Sequence, residues 1–220
     1  ALGEAIAGGH RLETVALAGI LALAVMFGGG AVRLTLARMH IVAMHRIVCG
    51  ERAPAAACGR FGGESGHLGQ SLWLREIAGR EEGTPPPVML DLERKAGETV
   101  RQLIADGAVT AVHDCSDGGL AVALAEMALA GGIGCAVAMP EDRASLAAFW
   151  FGEDQARYVV TAAEAEPILE AAEAAGLAAV ALGETGGERI IFRSVYGESM
   201  VSLAEIKAAH RAFFEEWMEG

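Results

Sequence analysis

The chain's 220 residues carry 29 acidic against 17 basic side chains, for a formal net charge of −12, and 53% of them are hydrophobic. An apolar share of that size supplies a core and excludes global disorder, while the acidic balance argues against a nucleic-acid partner, whose phosphates a binding face must neutralise. The length suits one fair-sized domain or two small ones, and the four cysteines, Cys49, Cys58, Cys115 and Cys135, form no CxxC pair and no metal-type spacing with histidine, so they read as reduced thiols.

Charge is unevenly spread. Residues 1–62 hold three acids (Glu4, Glu13, Glu51) and six arginines, a net +3, which leaves −15 for residues 63–220. The break near Gly62-Gly63 separates an atypical N-terminal segment, 1–62, from a well-patterned segment, 63–220.

In chain order, Ala1 to Gly9 reads as a short helix ended by glycine. Thr14 to Val32 runs nineteen residues without a charge, close to the roughly 20 apolar residues of a membrane span. Gly28 to Gly30 interrupt it, and three readings stand: a buried helix or strand pair, a membrane span, or an aberrant segment. His40 and His45 lie five apart, poor spacing for two ligands on one helix face. From Glu64 the pattern sharpens. The turn Gly66-His67-Leu68-Gly69, followed by Gln70 and Ser71, opens a helix to about Ala78. Such a turn is either a phosphate seat, because it exposes backbone N–H groups at a helix's positive end, or a tight capped turn. Pro85 to Pro87 mark an extended linker. Leu90 to Asp106 is an amphipathic helix with Leu92, Ala96, Val100, Leu103 and Ile104 on one face, and Gly107 ends it.

The stretch from Ala108 to Cys135 organises the chain. Ala108 to Val112 suits a buried strand. His113 to Gly119 is a polar, glycine-ended turn. Leu120 to Ala130 suits a buried helix, apolar all round with Glu126 its only charge, stopped by Gly131-Gly132. Ser116 or Asp117 is placed to cap it. A strand, a glycine turn and a helix mouth together make an anion or phosphate site. Downstream follow a strand at Cys135 to Met139, a short helix at Ser145 to Phe149, a charged turn over 151–157 and a strand at Tyr158 to Thr161. A helix over Glu164 to Ala175 and strands at Leu177 to Leu182 and Arg189 to Phe192 come next. The last helix runs from Val201 to about Met218, with Ser202 and Glu205 forming a capping box. This order predicts the α/β (α+β) class: a two-layer sandwich, one mixed sheet with helices on one face.

Four strings, GHLGQSLWLREIAG, PPPVMLDLERKAGETVRQLI, VHDCSDGGLAVALAEMALAGGIG and FGEDQARYVV, resemble phosphoribosylformylglycinamidine synthase in their order and spacing. The resemblance covers about residues 64–220 and is to the C-terminal domain of the synthetase subunit (subunit II) of the multi-subunit bacterial enzyme. That enzyme is a member of the aminoimidazole ribonucleotide synthetase-like superfamily. The resemblance implies that superfamily's C-terminal α/β fold and a cytoplasmic ligase of de novo purine biosynthesis. ATP activates the amide oxygen of formylglycinamide ribonucleotide, and ammonia from glutamine displaces phosphate to leave formylglycinamidine ribonucleotide. It further implies ATP and Mg2+, a glutaminase subunit and a small accessory subunit as partners, and neither nucleic acid nor membrane.

The family's Gly-Asn-x-Ser run, and the aspartates that hold nucleotide, Mg2+ and substrate, lie upstream of the HLGQ turn. The run is expected within about residues 10–30 and is missing; the whole chain contains no asparagine. Residues 11–62, rich in arginine, alanine and glycine and without Asp, Asn or Lys, read as an out-of-frame or remnant block. The expectation is a chain inactive alone, with a non-catalytic phosphate-binding remnant domain as the alternative.

Candidate residues follow from the two glycine turns. Ser116, Gly118 and Gly119 come first for touching a phosphate, and His67, Gly69, Gln70 and Ser71 second. His113 is either a general base or a structural residue that hydrogen-bonds the turn. Asp114 and Asp117 either brace and cap the turn or reach Mg2+ through water. Cys115 reads as a packed side chain, and Arg157 as an internal ion pair with Glu153 or a ligand contact. No catalytic residue and no metal ligand is assigned.

Overall fold

The computed structural model describes residues 57–61, 66–141 and 145–219. Its strands are β1 Ala57–Phe61, β2 Ala111–Asp114, β3 Cys135–Ala138, β4 Tyr158–Ala162, β5 Ala179–Thr185, β6 Arg189–Ser194 and β7 Gly197–Ser202. Its α-helices are α1 Leu90–Ala105, α2 Gly119–Gly131, α3 Leu146–Phe151, α4 Glu166–Ala174 and α5 Leu203–Glu219. The strands make one sheet in the order β2-β4-β1-β5-β3-β6-β7. Its pairings are antiparallel except for the parallel pair β3–β6. This is the mixed α/β class expected from the sequence.

Two details differ from that expectation. Along β4, Val159 belongs to one core cluster with Leu120, Phe149 and Trp150, and Val160 to another with Ala96, Val100 and Ile168. Successive strand residues point to opposite faces, so α2, α3 and α5 cover one face while α1 and α4 cover the other. Helices therefore lie on both faces rather than one. The signal was in β4 itself, whose Val159, Val160, Thr161 and Ala162 are all buried. An unbroken buried run marks a strand covered on both sides. The second detail is β1, which pairs with β4 on one side and β5 on the other. The sheet thus takes an inner strand from just before the compositional break. The uncharged run at 14–32, His40, His45 and Cys49 lie outside the described residues. Among the described residues, no helix is long and apolar enough to cross a membrane.

Helix α2 is the core's centre. From Gly119 to Ala125 every residue is buried, and each large apolar side chain so buried contributes about 1.5–3 kcal/mol. Gly132, at φ 65°, ends the helix, its N–H donating to the Ala128 carbonyl at 2.9 Å. Several boundaries moved. The helix expected after the HLGQ turn is one π-helical turn, Trp73–Ile77. The strand expected at 108–112 is Ala111–Asp114, which brings His113 into β2. The helix expected from Val201 starts at Leu203 because β7 occupies Gly197–Ser202 and pairs with β6. The capping box is present: Glu205 N–H donates to Ser202 Oγ at 3.2 Å, and Ser202 N–H to Glu205 Oε2 at 2.8 Å.

Candidate functional site

Both glycine turns meet at the segment 151–157. Glu153 Oε1 accepts the N–H of Gly118, at the mouth of α2, and the N–H of Leu72, behind the HLGQ turn, each at 2.8 Å. Asp154 accepts the N–H groups of Gly66 at 2.8 Å and His67 at 3.2 Å. Glu153 N–H closes the loop by donating to the His67 carbonyl at 2.9 Å. The Glu153 carboxylate therefore fills from within the chain a position that the mouth of α2 offers to an anion, and Asp154 takes up the amides that open the other turn. Burial pushes the Glu153 carboxyl up. The amides of Gly118 and Leu72 pull it down, Asp117 pushes it up and Arg75 pulls it down, and the balance lies above the ordinary carboxylate range.

The backbone accounts for how the turn at 115–119 reaches this segment. Gly118 and Gly119 have φ of 77° and 65°, values in the left-handed region that side chains with a Cβ resist. A Cβ on Gly119 would run into the Gly152 carbonyl oxygen, and one on Gly118 into Val122. Gly119 N–H donates to the Ser116 carbonyl at 3.0 Å. The N-cap position is Gly118, with no side-chain cap, so neither Ser116 nor Asp117 caps α2; both are exposed. The distant Glu153 supplies the acceptor instead, and no local sequence signal announced it.

The second turn is tied down as well. Ser71 is buried; its hydroxyl donates to the Leu68 carbonyl at 2.7 Å and accepts Leu74 N–H at 3.2 Å. Gln70 N–H donates to the Glu82 carbonyl at 3.0 Å, and its side-chain amide to the Gly83 carbonyl at 3.2 Å. His67 Nε2 lies 2.7 Å from the Thr84 carbonyl, and Gly69 packs so close to Thr84 that a Cβ there would clash. Arg157, 2% exposed, places Nη1 3.8 Å from Asp154 Oδ2 and donates from Nε to the Asp154 carbonyl at 3.3 Å and from Nη2 to the Gly152 carbonyl. The internal ion pair expected of Arg157 is therefore made with Asp154, not Glu153.

His113 faces away from this knot, toward α2. Its Nε2 lies 3.1 Å from Glu126 Oε2, and its Nδ1 2.6 Å from the Asp114 carbonyl. Burial works to lower its pKa, but the hydrogen bond and charge of Glu126, with Asp114, outweigh that and hold it above the ordinary imidazole value. Asp114 is exposed, and Cys115 is buried. Burial alone pushes the Cys135 thiol up to about 12, which leaves it no thiolate at neutral pH and no nucleophilic role.

The donor set does not suit Mg2+. Among the described residues no group of three or more His, Cys, Asp and Glu gathers to hold a metal ion. Glu153 and Asp154, the carboxylates that contact the turns' amides, are already engaged by those N–H groups, and Asp114 and Asp117 at the first turn are exposed.

A family model for AIR synthase related protein, C-terminal domain, matches residues 61–195. The chain belongs to this AIR synthase related C-terminal domain family. It is 51% identical over 154 residues to phosphoribosylformylglycinamidine synthase subunit PurL of Zymomonas mobilis, covering 70% of this chain and 20% of that protein. It is 48% identical over 165 residues to the subunit PurL of Acidiphilium cryptum, covering 75% and 22%. The chain thus spans about a fifth of the length of the curated relatives it matches. The same fold appears in Thermotoga maritima PurL complexed with FGAR, at TM-score 0.60 and 18% identity over 71% of this chain and 28% of that one. It appears again in T. maritima PurL complexed with ATP, at TM-score 0.55 and 19% identity over 72% and 27%. Within this family domain, the glycine turns were legible in the sequence, and the carboxylates that join them were not. The acidic pair in FGEDQAR looked like an ordinary charged turn, since nothing local tells a solvated Glu from one aimed at amides 35 and 81 residues away.

Proposed function

We propose that this chain is part of an ATP-dependent C–N ligase of de novo purine biosynthesis. The enzyme converts formylglycinamide ribonucleotide and ammonia drawn from glutamine into formylglycinamidine ribonucleotide. The observation that carries this reading is 51% identity over 154 residues to a subunit PurL. The substrates are ATP and formylglycinamide ribonucleotide, and a glutaminase subunit and a small accessory subunit are the partners; Mg2+ belongs to the reading at the level of the whole enzyme.

Within this reading the rim formed by Asp114, Ser116, Asp117, Gly118 and Gly119 faces phosphate, with His67, Gly69, Gln70 and Ser71 of the other turn as the second set of contacts, while His113 acts from behind the turn through Glu126. Ser116 and Asp117 offer exposed polar atoms at the rim of the first turn. The Gly118 amide meets a ligand only if Glu153 moves aside. In this reading the chain alone does not turn over, and the engagement of the Gly118 amide by Glu153 and of the Gly119 amide by the Ser116 carbonyl supports it.

Two experiments test the reading. Purified chain with ATP, Mg2+, ammonium and formylglycinamide ribonucleotide should release no substrate-dependent ADP; measurable release overturns the inactive assignment. Grafting residues 61–220 in place of the matching segment of Zymomonas mobilis PurL should preserve substrate-dependent ADP release. A folded chimera without that activity counts against the ligase assignment.

A further inference from the structure

A pair of buried groups stands apart from the glycine knot. His113, at the end of β2, and Glu126, the only charge in α2, have side chains 14% and 16% exposed, with Nε2 and Oε2 3.1 Å apart. The other ring nitrogen, Nδ1, lies 2.6 Å from the Asp114 carbonyl oxygen. A carbonyl oxygen and a carboxylate only accept hydrogen bonds, whereas a neutral imidazole has one donor and one acceptor nitrogen. With Glu126 ionised, both ring nitrogens of His113 face acceptors, an arrangement that favours the imidazolium. The groups around it agree. Among the described residues, Glu126 from α2 and Asp114 from β2 are the charged groups that face it, and its sheet neighbour on β4 is the apolar Val159.

We propose that His113 and Glu126 form a proton-retaining strap that ties the end of β2 to α2 and sets the position of the Cys115–Gly119 turn between them, so that the turn loosens when the proton leaves. The turn is anchored at its start by Cys115 N–H donating to the Arg157 carbonyl at 2.8 Å and near its end by Gly118 on Glu153. The strap links the elements on either side of it directly. Loss of either ring proton turns a lone pair toward an acceptor, the Glu126 carboxylate at Nε2 or the Asp114 carbonyl at Nδ1, and a neutral ring that keeps its Nε2 proton still loses the charge attraction to Glu126. The inference does not require the turn to bind phosphate.

The sign of the pH dependence follows. In the unfolded chain the imidazole has its ordinary pKa of about 6.5. The folded value is raised, so the strap's contribution to stability is complete below about pH 6.5 and is lost as pH rises through the folded value.

The test is nitrogen NMR of the histidine rings and backbone amides of the 220-residue chain, from about pH 5.5 to about pH 9, a range that brackets imidazole titration. In the wild type, His113 should hold protons on both ring nitrogens past the ordinary midpoint, and the amides of Ser116 to Gly118 should shift with the same midpoint. In Glu126→Gln the midpoint should fall, and the loss of thermal stability on raising pH should shrink. A wild-type His113 that is a neutral tautomer at about pH 6.5, or turn amides that ignore its titration, overturns the proposal. That wild-type measurement decides even if the variant does not fold.

Discussion

Glu153 offers the sharpest single-residue contrast. Its carboxylate accepts two backbone N–H groups while burial works against its charge. Glu153→Gln keeps an acceptor oxygen of the same reach and removes the buried charge, so urea unfolding should find it within about 1 kcal/mol of wild type. Glu153→Ala leaves the Gly118 and Leu72 amides without their partner and should cost about 2 kcal/mol or more. Equal losses in the two variants would mean that charge, not hydrogen-bond acceptance, matters there. Gly119→Ala tests the other side of the same contact. Its new methyl group would meet the backbone at Phe151 and Gly152 from a left-handed conformation, and neither yields easily. A destabilisation of about 2 kcal/mol or more in the same assay is expected. These residues also mark what one sequence can disclose. Gly118-Gly119 announced a turn because only glycine accepts that backbone cheaply. Glu153 was silent because its partners lie far off in the chain.

Among elements, α2 was read correctly as a buried helix because its composition leaves no polar face, and its glycine stop was equally plain. The sheet was harder. β7 was missed because Gly197 to Ser202 alternates weakly, with Glu198 and Met200 exposed and Ser199 and Val201 buried. The capping box beyond it drew the helix start two residues early. The placement of α1 and α4 on the second face was missed because an amphipathic stripe says that a helix packs, not on which side of a sheet. The centrality of α2 gives a prediction at this scale. Leu120 is 0% exposed, and Leu120→Ala should cost about 2–5 kcal/mol in denaturant unfolding. A loss below about 1 kcal/mol would show that the α2 face is loosely packed. At the end of the chain, hydrogen bonds from the Ser202 hydroxyl and backbone, with burial opposing and Arg189 assisting, hold the Glu205 carboxyl below its ordinary value. Its contribution is therefore present above the ordinary carboxylate pKa of about 4.3 and disappears as pH falls through the folded value. Ser202→Ala, which removes the hydroxyl but keeps the backbone N–H, should raise the Glu205 carboxyl toward that ordinary range in an NMR titration, and an unchanged midpoint would contradict the capping account.

For the molecule as a whole, three segments far apart in sequence, 66–72, 115–119 and 151–157, are joined through the carboxylates of Glu153 and Asp154. The family fold brings them together; the resemblance of the four strings identified the family but not the bonds between the strings. This junction ties both glycine turns down from within the chain, and a phosphate reaching for the Gly118 amide would first have to displace Glu153. Amide hydrogen exchange on the 220-residue chain tests it most directly. The account predicts that Gly118 and Leu72 are both protected in the wild type and lose protection together in Glu153→Ala, while the Ala128-bonded amide of Gly132 at the far end of α2 keeps its own. Rapid exchange of Gly118 and Leu72 in the wild type would contradict it.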